Sequence, residues 1–161
     1  MAITEHSALT GLRPASVQDS RQLEEIAREA YGKYLGLVDE PPAPLLLDYR
    51  EVAASGRTHV AVSDDGVIGM VTVEPDDPYL ILRNLAVHPV CQGQGIGKKL
   101  VEFVEEMARS AGLKGVRLWT RAEMVENISF YRRLGYVITH AERNEHAHRV
   151  FLCKESSSRR D

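Results

Sequence analysis

The run Gln92-Gly93-Gln94-Gly95-Ile96-Gly97-Lys98-Lys99 lies between a strand-like segment, Tyr79 to Val87, and an amphipathic helix. Strand, glycine turn and helix together aim backbone N–H groups and the positive end of a helix at a phosphate. Glycine permits both the tight turn and a close approach of backbone to anion. Register narrows the choice of phosphate ligand. A dinucleotide fingerprint needs G-x-G-x-x-G, and counting from Gly93 and Gly95 the third place holds Lys98. A nucleoside-triphosphate loop needs G-x-x-x-x-G-K-[ST], but Gln92 holds its first place and Lys99 its last. What remains is Gln92-x-x-Gly95-x-Gly97, beside the plainer alternative of a turn that only packs. A second run, Asn127-Ile128-Ser129-Phe130-Tyr131-Arg132-Arg133-Leu134-Gly135-Tyr136, offers a side-chain amide and a phenol on a short helix closed by glycine.

These segments need elements to hold them. Leu9 to Arg13 reads as a strand, and Ser16-Val17-Gln18-Asp19 as a helix cap. Leu23, Ile26, Ala27, Ala30, Tyr31 and Tyr34 recur with helical spacing. A proline-rich stretch, Pro41 to Pro44, precedes a second helix over Leu45 to Ala54. Thr58 to Ser63 and Val67 to Glu74 form a hairpin around Asp64-Asp65-Gly66. Tyr79 to Val87 is apolar on both faces and reads as a central strand. Ile96, Leu100, Phe103, Val104, Met107, Ala108 and Ala111 give the longest helix one apolar face. Gly115 to Arg121 is a strand, Asn127 to Leu134 a helix, and Tyr136 to Ala141 with His148 to Cys153 a final antiparallel pair. The order β-α-α-β-β-β-α-β-α-β-β fits a mixed α/β sheet in one layered domain.

The two glycine-bearing runs, in this order and context, resemble the GNAT acetyltransferase superfamily. Its acetyl-CoA pyrophosphate loop reads [Q/R]-x-x-G-x-[G/A], matched by Gln92, Gly95 and Gly97. Its later motif is matched by Asn127, Phe130-Tyr131, Gly135 and Tyr136. The resemblance implies a single GNAT-like domain over residues 9–154, with a central mixed, mostly antiparallel sheet flanked by helices. Residues 1–8 and 155–161 have little to bury and are expected to fray.

The implied activity is acetyl-CoA-dependent transfer of an acetyl group to a primary amine, by direct attack in a ternary complex. The acceptor would be a small molecule, an amino acid derivative or a peptide. Gln92, Gly93, Gln94, Gly95, Ile96, Gly97 and Lys98 would bind the pyrophosphate, and Leu85, Ala86 and Val87 would flank the pantetheine arm. A backbone N–H near Leu85 would stabilise the developing oxyanion. Asn127 would hydrogen-bond the arm, with helix capping as its alternative role. Tyr131 would protonate the departing thiolate, with core packing as its alternative. Tyr31 and Tyr34, with the proline stretch, would cover the acceptor, with completing the core face of the first helix as their alternative role.

The chain departs from the pattern at the general base. Arg83 and Asn84 stand where many relatives carry a glutamate, and arginine cannot act as a base. Glu74 and Glu123 are the replacement candidates, acting through water, unless the amine arrives already neutral; the alternative reading of each is a solvated surface acid. Arg83 could face an anionic part of the substrate. The missing acid also leaves a rival: an acyl-CoA-binding regulatory or degenerate domain without transfer. A longer acyl donor or a hydroxyl acceptor is a further variant.

Composition excludes other classes. At 161 residues the chain suits one domain, and 43% hydrophobic with 27% charged residues is ordinary for a globular protein. A net charge of −3 makes no case for nucleic acid, and there is no apolar run of membrane-spanning length. Met1 to Ser7 lacks the pattern of a signal peptide, and Cys91 and Cys153 have no metal-type spacing, so the expectation is cytoplasmic. His146-x-His148 lacks a third metal ligand, and no metal is expected. Cys91 precedes the loop and reads as a buried thiol ahead of an acyl carrier. A homodimer through the late strands is common in the resembled family.

Overall fold

The computed structural model describes residues 2–38 and 40–157. The tail residues 158–161, part of the segment expected to fray, lie outside the described residues. The main elements are β1 (Gly11–Pro14), α1 (Ser20–Tyr31), α2 (Tyr49–Ala54), β2 (Thr58–Ser63), β3 (Gly66–Asp76), β4 (Tyr79–Val87), α3 (Ile96–Ser110), β5 (Gly115–Arg121), α4 (Val125–Arg133), β6 (Val137–Arg143) and β7 (His148–Glu155). Their order is the one read from the sequence. The expected second helix breaks in two: a 3₁₀ turn at Ala43–Leu46, then α2. The Asp48 carboxylate accepts Arg50 N–H at 2.9 Å and restarts the helix there.

Seven strands form one sheet in the order β1-β2-β3-β4-β5-β7-β6. Every neighbouring pair is antiparallel except β4 and β5. On one face Leu100, Val101, Val104 and Ala108 of α3 pack with Leu118, Tyr131 and Tyr136. On the other, Leu23, Ile26 and Tyr31 of α1 pack with Tyr49, Met70 and Ala86. The apolar faces of β4 thus serve two separate cores, which explains its unbroken hydrophobic run.

Two irregularities of β4 create the functional cleft. Its register with β3 passes from Thr72↔Asn84 to Val73↔Leu82, leaving Arg83 as the extra residue of a bulge. Pairing with β5 covers only Tyr79–Ile81 against Gly115–Arg117. Beyond Ile81 the two strands part, although both continue.

The N-terminal segment buries more than expected. Ser7, 2% exposed, donates to Asp65 Oδ2 at 2.7 Å and clasps the β2–β3 turn, while Ile3 packs against the core. At the other end Tyr79 Oη donates to Glu155 at 2.8 Å, and Ser156 N–H to Lys114 O at 2.7 Å. No helix among the described residues is long and apolar enough to cross a membrane.

Candidate active site

Backbone orientation in β4 follows from one bond. His88 N–H donates to Ile68 O at 2.8 Å, continuing the register Met70↔Ala86 and Thr72↔Asn84. Along an antiparallel ladder alternate residues face opposite neighbours. Asn84 and Ala86 therefore bond towards β3, while Leu85 and Val87 turn their N–H and C=O groups into the cleft. Both carbonyls are already occupied. Tyr31 Oη donates to Leu85 O at 2.7 Å, and Gln92 Nε2 to Val87 O at 3.1 Å. The N–H groups of Leu85 and Val87 remain without a partner among the described residues, a strand edge ready for an extended ligand.

The glycine loop supplies a second set of donors. Gly93 and Gly95 adopt φ of +84° and +81°, where a Cβ is strained. Lys99 N–H, bonded to Gly95 O at 3.1 Å, is the first rung of the α3 ladder. The N–H groups of Ile96, Gly97 and Lys98 are left for an anion. Gly97 has another reason to be glycine, since a Cβ there would stand 3.3 Å from the Phe130 ring. The two sequence motifs therefore touch. Gln94 departs from expectation: its Nε2 donates to Glu5 O at 2.9 Å, and its side chain lies outside the groove.

A groove of about 430 Å³ runs past Leu85, Ala86, Val87, Gln92, Gly93 and the start of α3. A second cavity of about 140 Å³ lies on the other side of the splayed strands, under Pro42 to Pro44. Tyr31, Leu85, Asn127 and Tyr131 line both. Tyr131 is 5% exposed, with its ring edge-on to Phe130 at 5.1 Å and to Tyr136 at 5.5 Å. Burial pushes its phenol far above the ordinary range, so it stays protonated. Burial does the same to Tyr31. Asn127 sits in the first turn of α4, whose N-cap is Met124, so capping is not its role. Tyr34 is buried along the groove, and Tyr49 Oη donates to Pro44 O at 2.6 Å to hold the proline turn. The Tyr49 phenol is pushed up to about 12, chiefly by burial.

The structure does not bring the two expected bases to the cleft. Glu74 lies 3.2 Å from Arg83 and 3.8 Å from Arg57, committed to two guanidinium groups. Glu123 is exposed and lines neither cavity. Arg83 does reach the second cavity, but Glu74 neutralises it and its guanidinium lies over Trp119 at 4.8 Å. Among the described residues the second cavity has no carboxylate or histidine in its lining, which holds Arg83, Arg121 and Arg149 beside Trp119. Sequence reasoning missed Trp119, Arg121 and Arg149. Alternation along β5 was a usable signal, since Arg117, Trp119 and Arg121 share one face. Cys91 is fully buried, its Sγ donates to Thr4 O at 3.7 Å, and burial raises its thiol above the ordinary range. Among the described residues no cluster of His, Cys, Asp or Glu could hold a metal.

A sequence model of the acetyltransferase (GNAT) family matches residues 21–136, well over half of the chain. The chain belongs to the GNAT acetyltransferase family. It is 27% identical over 133 residues to the IAA acetyltransferase of Azospirillum brasilense, covering 80% of this chain and 84% of that one. It is also 27% identical to the uncharacterized N-acetyltransferase YjgM of Escherichia coli, over 78% of this chain and 80% of the relative. The fold matches the PaiA N-acetyltransferase of Thermoplasma acidophilum in complex with coenzyme A, with a TM-score of 0.71 at 21% identity, over 88% and 96% of the two chains. It also matches the ribosomal-protein-S18-alanine N-acetyltransferase of Escherichia coli, with a TM-score of 0.72 at 18% identity, over 94% and 96%. This GNAT protein is an acyltransferase. The open N–H groups of Leu85, Val87 and Ile96 to Lys98 fit an extended thioester arm ending in a pyrophosphate.

Proposed function

We propose that the protein transfers an acetyl group from acetyl-CoA to a primary amine by direct attack, without a carboxylate base. The observation that carries this is the meeting of the two cavities at Leu85 and Tyr131. Gly95 to Lys98 bind the pyrophosphate and the β4 edge aligns the arm. Leu85 N–H donates to the thioester oxygen as charge grows there, a contribution of roughly 3–4 kcal/mol for a well-placed donor. Tyr131, held protonated by burial, donates its hydroxyl to the departing sulfur. Asn127 steadies the arm where the cavities join.

The acceptor side explains how a base is dispensed with. Like charge disfavours an ammonium, and the smaller cavity, where the acceptor enters, presents guanidinium groups and, among the described residues, no carboxylate. The amine enters neutral, its nitrogen bonds to the acetyl carbon, and the carbon–sulfur bond breaks. Tyr131 gives its proton to the sulfur, the nitrogen releases one proton to solvent, and solvent restores the Tyr131 hydroxyl, so every side chain returns to its starting state. A protein that only bound acyl-CoA would have no use for a protonated phenol lining both cavities. Acetyl-CoA titration followed by CoA release over a panel of primary amines tests the proposal. Binding with no release on any amine would refute it.

A further inference from the structure

The acceptor cavity has an electrostatic feature that acetyl transfer alone does not require. Arg121 and Arg149 stand directly opposite one another on β5 and β7. Ala122 N–H donates to His148 O at 2.9 Å, which makes the Arg121–Arg149 pair the non-hydrogen-bonded kind, in which side chains approach most closely. Like charges directly opposite on a sheet repel. Among the described residues neither guanidinium has an ion pair or a side-chain hydrogen bond to relieve this. The carboxylate nearest in register, Glu142 across from Arg149, turns to His140 at 3.5 Å. Arg83, by contrast, is satisfied by Glu74 at 3.2 Å. Both unrelieved arginines line the acceptor cavity beside Trp119, which is 38% exposed.

We propose that the acceptor is an amine that also carries an oxyanion, and that Arg121 and Arg149 bind this oxyanion while the amine points towards Leu85 and Tyr131. This rests on the transferase reading above. Two guanidinium forks facing one cavity match the paired oxygens of a carboxylate or phosphonate. Their repulsion is then relieved by the substrate, and a purely cationic amine is turned away by the same field.

The chain has one tryptophan, Trp119, so intrinsic fluorescence reports on this cavity without any turnover. The experiment compares matched pairs in the full-length protein: β-alanine with β-alaninamide, phenylalanine with phenylalaninamide, and 2-aminoethylphosphonate with ethanolamine. CoA release is measured with each amine, and Trp119 fluorescence is titrated with the amine-free pair propionate and propionamide. The expected kcat/KM favours the anionic member by about tenfold to a hundredfold. Which pair shows the larger preference separates carboxylate from phosphonate. Arg149→Gln and Arg121→Gln should collapse the preference, and Arg149→Lys should retain part of it. Transfer with no preference, or a preference for the neutral member, overturns the inference and leaves the transferase reading intact. Acetyl-CoA binding without transfer to any amine removes the transferase reading. In that case propionate-selective quenching that Arg149→Gln abolishes upholds the anion site, and its absence overturns that too.

Discussion

Tyr131→Phe separates chemistry from folding because of how little the hydroxyl does for the fold. The Tyr131 ring is buried between Phe130 and Tyr136, and the residue lines both cavities, yet its hydroxyl has no protein hydrogen-bond partner among the described residues. Removing it orphans no buried group and leaves the ring contacts in place, so the melting temperature should move by no more than about 2 °C, the shift of a few tenths of a kcal/mol. Its loss is felt when the sulfur carries charge. A hydrogen bond to a charged group is worth about 1.5–3 kcal/mol, which converts to about 10- to 150-fold in rate. The assay is CoA release at saturating acetyl-CoA, beside an acetyl-CoA titration and a thermal melt. The expected pattern is a lowered kcat with unchanged donor affinity and stability. A kcat within twofold of wild type on a genuine acceptor would remove Tyr131 from the mechanism. A large fall in melting temperature would show that the hydroxyl is structural.

Three further outcomes follow from the geometry. Gly95→Ala forces an L side chain to φ of +81° at the start of α3, at a cost of roughly 1–2 kcal/mol, and calorimetric titration should show acetyl-CoA affinity falling tenfold or more. The kcat/KM should rise with pH to a plateau set by the acceptor amine, and this limb should move when the amine's own pKa is changed. It should persist in Glu74→Gln and Glu123→Gln, and loss of the limb in either variant would name the base. Asp19 accepts both Arg13 guanidinium N–H bonds at 2.8 Å, chiefly by which its carboxyl is held below the ordinary range. The folded state then binds fewer protons than the unfolded one in acid. The stability it supplies is full above the unfolded value near about 3.9 and is lost as pH falls through the lower folded value. Asp19→Asn should cost about 1–3 kcal/mol at neutral pH and flatten the acid limb of a denaturation series.

What could be read from the chain was whatever is encoded locally. Periodicity placed β2, β4 and β5 on their observed ranges, and the glycines at 93 and 95 sit where positive φ is required. The two motifs, each a short run whose backbone geometry depends on its own residues, met along one groove. The second helix went astray because Asp48, not hydrophobic spacing, sets where it begins. Glu74 and Glu123 looked available as bases because sequence lists charges without their neighbours. The fold commits Glu74 to Arg83 and Arg57 and turns Glu123 to solvent. Whether β4 and β5 stay paired or part after Ile81, and that β7 rather than β6 lies beside β5, are long-range decisions. They bring Arg121 against Arg149 and join the two cavities at Tyr131. The residues thus determined the loop and its open N–H groups, because these depend on a few consecutive positions. Only the tertiary structure decided the second cavity, because that surface is assembled from strands distant in sequence.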